Sequence, residues 1–152
     1  MGPPGRHLGT LQCVSQLRVP CAGGIVFDPD GRLLLVRRGR APDAGRWSIP
    51  GGRCLPGEAP DRACVREVAE ETGLAVSVVR HAGQVVRPGV AGSLYVIDDF
   101  LCEPAGDPAD LGAILAADDA ADVRWVTLEA LGRLPLTHGL RDALADWELL
   151  PR

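Results

Sequence analysis

Glu67, Glu70 and Glu71 stand three and four residues apart in the run ACVREVAEETGL, so on a helix their side chains share one face. Like charges at that spacing cost about 0.2–0.5 kcal/mol per pair in water, and more where solvent is reduced. Such a stripe calls for positive charge. Arg66 is adjacent but brings a single charge, whereas a divalent cation accepting carboxylate oxygens would relieve the whole cluster. Ligands that are all oxygen point to Mg²⁺ or Mn²⁺, and no histidine or cysteine is spaced to make a zinc set. Taken alone, an acidic stripe is most simply a solvated helix face. Its flanks decide between the two readings.

The spacing predicts a helix over Ala59 to Thr72. Pro60 suits a first turn, Asp61 sits at the positive end of the dipole, and Gly73 falls where a C-terminal cap belongs. Cys64, Val65, Val68 and Thr72 give this helix an opposite side to bury. Upstream lie Gly52 and Glu58, and downstream Arg66-Glu67-Val68-x-Glu70-Glu71-x-Gly73-Leu74. This set of residues, at this spacing, resembles the Nudix box, the signature of the Nudix hydrolases. The preceding GRWSIPGG is similar to the W-x-x-P-G-G lead-in of that family.

The resemblance implies an α/β fold, a Nudix-type α/β/α sandwich with a mixed β-sheet. It implies a Mg²⁺-dependent pyrophosphohydrolase that cleaves a nucleoside diphosphate linked to another moiety, releasing a nucleoside monophosphate. ADP-ribose or a nucleotide-sugar-like substrate is favoured. A (d)NTP or CTP pyrophosphohydrolase of the housecleaning type and a non-catalytic nucleotide-binding module are the alternatives. By similarity Glu67, Glu70 and Glu71 would be metal ligands, with the carbonyl of Gly51 or Gly52 a further one. Arg66 would orient the carboxylates and Glu58 would support the loop, while Glu67 or Glu70 is the first choice of general base. Asp118 and Asp119 are candidates for a base or ligand on a later loop. Leu55 departs from the family, many members of which carry glutamate there, and this bears on metal number and substrate class.

Outside the box the signals are weaker. Arg37 and Arg46 bracket a Gly/Pro-rich loop and are candidates for phosphate or ribose binding. Tyr95, on an expected strand, is a candidate for base stacking, though core or sheet packing is the simpler account. Pro88 lies near the place of a downstream proline found in ADP-ribose-hydrolysing members. Trp47, Trp125 and Trp147 read as core, and His7, His81 and His138 have no partner at ligand spacing. Cys54, in the loop, raises a prenyl-diphosphate isomerase as a third class, although a small loop-filling side chain is the simpler account.

The elements that must position these residues follow from pattern. Leu11 to Phe27 and RLLLVRR flank the turn sequence DPDG and predict a hairpin, with a short strand around Trp47 to Ile49. AVSVVRHAGQVVRP and GSLYVIDDFLCEP read as strands about Gly89 to Gly92, and DVRWVTL as another. Leu128 to Leu134 and Gly139 to Leu150 read as helices, the last with Leu140, Ala143, Leu144 and Trp147 on one face. Strands interleaved with helices predict a sheet covered by helices.

The chain has 152 residues, 46% of them hydrophobic, enough for one core. We expect a disordered start over 1–9 and a single domain over 10–152. Net charge is −4 with a pI near 5.3, so no basic field is available for nucleic acid or anionic membrane. All 16 basic residues are arginine, which excludes Schiff-base chemistry and leaves any phosphate to guanidinium groups. The five cysteines form no C-x-x-C pair, and no apolar run approaches the span of a bilayer. A cytoplasmic setting is expected, with a small nucleotide diphosphate as partner and a homodimer as a possible assembly, by analogy with relatives.

Overall fold

The computed structural model describes residues 15–41, 43–107, 111, 114 and 120–152. The expected disordered start, Cys13, and the candidates Asp118 and Asp119 lie outside the described residues. In chain order come β1 (Arg18–Val26), β2 (Leu33–Arg38), β3 (Trp47–Ser48), β4 (Gly51–Arg53), α1 (Pro60–Thr72), β5 (Val76–Pro88) and β6 (Leu94–Pro104). β7 (Ala120–Val126), α2 (Leu128–Leu131) and α3 (Leu140–Asp146) complete the order.

The turn after β1 is built as its sequence predicts. The buried Asp28 accepts from the backbone N–H groups of Asp30 and Arg32, and from Arg32 Nε at 2.6 Å. The expected hairpin does not follow from it. Beyond a single antiparallel bridge between Phe27 and Leu33, β1 and β2 part into different sheets. β1 pairs antiparallel with β4 and parallel with β6, whereas β2 pairs antiparallel with β3 and β7. The turn chemistry is local, but the partners that win are distant in sequence. The resulting orders are β4-β1-β6-β5 and β3-β2-β7. β5 and β6 do form the expected hairpin, closed by a short 3₁₀ turn at Val90–Gly92.

Alternation along β1 divides the molecule into two cores. Ala22 and Val26 pack with Leu34, Phe100, Cys102 and the buried face of α1, which is Ala63, Cys64 and Val68. Ile25 turns the other way, with Leu33, Leu35 and Trp47, onto Leu131 of α2 and Leu140 and Leu144 of α3. Helices therefore cover both sides of the strands, the expected α/β/α arrangement. The last two helices are shorter than their sequence periodicity implies: α2 stops at its C-cap Gly132, and α3 stops at Asp146, just ahead of Glu148 at φ 58°. All three tryptophans join the cores, Trp147 as a partly buried side chain packed on the second. Among the described residues no helix is long and apolar enough to cross a membrane.

Candidate active site

α1 begins at Pro60 and stops at Gly73, which takes the left-handed conformation at φ 74° and donates its N–H to Ala69 O. That fixes which face the glutamates occupy. Cys64, Val68 and Thr72 are fully buried beneath the helix, leaving Glu67, Glu70 and Glu71 along its flank. Close approach of α1 to β4 is possible because Gly52 has no side chain. A Cβ there would stand 2.6 Å from Glu67 Cδ.

Arg66 organises the carboxylates. Its Nε and Nη2 donate to the two oxygens of Glu58 at 2.8 and 2.7 Å, a bidentate fork, while Nη1 reaches Glu67 at 2.8 Å and Glu70 at 3.1 Å. Nη2 also donates to the carbonyl of Arg53 at 3.1 Å, tying the loop to the helix. The Arg66 fork, helped by the Leu55 N–H, holds the Glu58 carboxyl down to about 2. Glu67 moves the opposite way: burial raises it, partly offset by Arg66, with Glu70 and Glu58 adding repulsion. Glu71 accepts from Gly51 N at 3.3 Å.

Leu55 exposes its side chain, 54% accessible, and serves the loop through its backbone, whose N–H and carbonyl both bond Glu58. Cys54 packs partly buried against the α1 core, and burial raises its thiol, followed by the negative charge of Glu58. A thiolate is therefore not poised there.

Among the described residues no three acidic, histidine or cysteine groups converge closely enough to enclose an ion as they stand. The donor set nonetheless suits a hard cation. It is all oxygen, one member is desolvated, and Arg66 already supplies a cation in contact with two of the three helix glutamates.

Beside this cluster a cavity of about 320 Å³ opens along β1, β4 and β6 and runs to α3. Gly51, Gly52 and Arg53 line the end nearest α1; Ile49, Val85, Ile97, Leu140 and Ala143 give it apolar walls. Tyr95 lies in the lining, its hydroxyl accepting from Arg53 Nη2 at 2.7 Å and its ring 5.3 Å from the Arg53 guanidinium. Pro88 lines it as well. Arg37 lies apart from this lining, 6.0 Å over the Trp47 ring. Arg46 donates to Leu136 O at 3.0 Å and borders a separate surface depression with His138.

Sequence reasoning passed over Arg53, Asp98 and Asp99. The signal was present, since IDDF sets two adjacent acids inside a strand that is otherwise apolar. Asp98 lies 2.9 Å from His81 Nε2 and accepts from Gln84 at 3.1 Å. Asp99 is buried with Oδ1 unpartnered, and burial pushes its carboxyl up to about 7 against the favourable charge of Arg87.

The family model described as NUDIX domain matches residues 17–147. A MutT-like protein of Streptomyces ambofaciens is 36% identical over 124 residues, covering 80% of this chain and 73% of its own. An ADP-ribose pyrophosphatase of Methanocaldococcus jannaschii is 32% identical over 114 residues, covering 74% of this chain and 64% of its own. Among solved structures, a MutT NUDIX hydrolase from Burkholderia pseudomallei aligns with a TM-score of 0.71 at 30% identity, over 86% of this chain and 98% of its own.

Proposed function

The chain belongs to the NUDIX family and is a hydrolase of pyrophosphate bonds in small nucleotide-derived compounds, and from that premise we propose that it cleaves a nucleoside diphosphate linked to a second moiety. The observation that carries this reading is the Arg66 fork gathering Glu58, Glu67 and Glu70 against β4, whose Gly51, Gly52 and Arg53 line a cavity large enough for a nucleoside. An ADP-ribose or nucleotide-sugar-like substrate is favoured by the M. jannaschii relative of that name. A putative 8-oxo-dGTP diphosphatase of Bacillus subtilis, 33% identical over 112 residues, supports a (d)NTP as the second reading.

Glu67, Glu70, Glu71 and the carbonyl of Gly51 would hold Mg²⁺ or Mn²⁺, which when bound neutralises diphosphate oxygens and acidifies a water. Arg66 sets the positions of Glu67 and Glu70, and Glu58 sets that of Arg66. Glu67 or Glu70, both held by Arg66, is the first choice of acceptor for the proton of the attacking water. Arg53 stands where β4 meets the cavity and suits a phosphate oxygen. The Tyr95 ring beside it offers a stacking surface for a base.

A panel of ADP-ribose, NADH, diadenosine polyphosphates, nucleotide sugars and (d)NTPs with Mg²⁺, assayed for monophosphate and pyrophosphate, tests the proposal. Release of nucleoside monophosphate from ADP-ribose or a nucleotide sugar ahead of every (d)NTP is expected. Tight binding with no cleavage of any member would instead favour the nucleotide-binding module. Glu70→Gln combined with Glu71→Gln should lower kcat at least about 10³-fold with the fold intact by circular dichroism, and near-normal turnover in that variant sinks the assignment.

A further inference from the structure

One register line crosses the four-stranded sheet as Gly51, Gly23, Asp99 and Gly83, each paired with the next. Directly paired residues point to one face, so this row has a single side chain in it. Three glycines make a trough, and Asp99 is its only functional group.

The trough cannot close over that carboxylate. Asp99 Oδ1 lies above Gly23, where a Cβ would be only 2.3 Å away, so an alanine there would displace it. Beyond Asp99 the space over Gly83 is filled by the Trp147 indole, 2.3 Å from where a Cβ would be. The row is thus walled at β5 by the indole, and Ile49 packs over Gly23 on the side towards β4. Asp99 is 95% buried, lines the cavity, and its Oδ1 has no hydrogen-bond partner. A buried acceptor left in this condition is costly to the fold and calls for a partner.

Strand spacing places Asp99 about 10 Å from Gly51, two steps of the sheet. That separation matches an extended nucleoside, with its phosphates at β4 and its base at β6. The walls between, Ile49, Ile97 and Leu140, are apolar, as a ring needs. When ionised, the carboxylate accepts and does not donate, and its complement is then an N–H. It is also recessed, and a group projecting from the ring reaches it more readily than a ring nitrogen does.

We infer that Asp99 is a specificity-determining residue that accepts a hydrogen bond from the exocyclic amino group of the substrate's nucleobase, at the closed end of the glycine trough. This rests on the reading of the cavity as the nucleotide site. Gly23 is the positioning residue for Asp99, and Trp147 sets the depth of the pocket.

The test uses binding of nucleotides that differ by one amino group: AMP against purine riboside 5′-monophosphate, CMP against its 4-deamino analogue, and GMP against IMP, with ribose 5-phosphate as the base-free probe. Calorimetry with the full chain should give a preference of about ten-fold or more for the amino member of at least one pair. In Asp99→Leu, which removes the acceptor, that preference should fall to within about two-fold, while Asp99→Asn, whose amide oxygen still accepts, keeps part of it; in both, ribose 5-phosphate affinity should be unchanged and the melting temperature equal or higher. Retained discrimination in Asp99→Leu, equal weakening of every probe, or a melting temperature lowered in both variants overturns the inference while leaving the hydrolase assignment standing. Absence of nucleotide binding and of turnover in the parent protein overturns both.

Discussion

Arg66 contacts three carboxylates and a carbonyl with one guanidinium, and only a planar fork can do so. Arg66→Lys keeps the charge and loses the bidentate grip on Glu58. Activity should fall on the order of 10–100-fold, mostly in kcat, with the fold retained; steady-state kinetics beside a thermal melt would check it. Leu55→Glu should leave the melting temperature within about 2 °C, since the leucine side chain is exposed and its backbone does the bonding. Two carboxyls carry opposite pH signatures. Glu58, depressed to about 2, contributes stability that is present above its ordinary value of 4.5 and is lost as pH falls towards 2. Asp99, raised from 3.8 to about 7, makes folding most favourable at low pH and withdraws that stability as pH climbs through 7. Thermal melts of the parent and Asp99→Asn should therefore diverge from pH 4 upwards, the variant melting higher by on the order of 5 °C at pH 8. Parallel curves across that range would mean that Asp99 titrates as an ordinary exposed acid.

Among the elements, α1 was the most legible, and for local reasons. Pro60, Asp61 and Gly73 mark its ends, and the spacing of Cys64, Val68 and Thr72 marks its buried face. Gly73→Ala should cost roughly 1 kcal/mol by urea denaturation, because φ 74° is strained for a residue with a Cβ. Gly83→Ala tests a different kind of glycine, whose φ is ordinary but whose surface is occupied by Trp147. It should lower stability by about 1–3 kcal/mol through overpacking and redshift the tryptophan emission as the indole is displaced. The hairpin expected of β1 and β2 failed because its evidence was a turn, and a turn does not name a strand's partners. β1 takes β4 and β6, roughly 30 and 75 residues further on by number. For the same reason the box residues were readable in sequence while the cavity was not. Glu58 to Glu71 lie within one loop and one helix, whereas Arg53, Tyr95 and Asp99 meet only through that long-range pairing.

At the scale of the whole molecule, the two cores are not separable, since β1 and β2 each contribute to both. Residues 10–152 should unfold in one transition, with tryptophan fluorescence and far-ultraviolet dichroism coincident in urea; Trp47, Trp125 and Trp147 report from both cores. Alternation along β1 has a consequence of another kind. Gly24 looks onto Val68 and Cys64 of α1, while its neighbour Gly23 looks onto Asp99. Adjacent positions thus face different neighbours, Gly24 the packed side of α1 and Gly23 the cavity in which we place the nucleotide. A mutagenic library restricted to Cys21, Ile97 and Asp99 would explore new preferences without touching the helix that carries the glutamates. On that reading, substitutions at every second residue of β1 and β6 would redirect nucleotide preference while the packing of α1 on the sheet stays as it is.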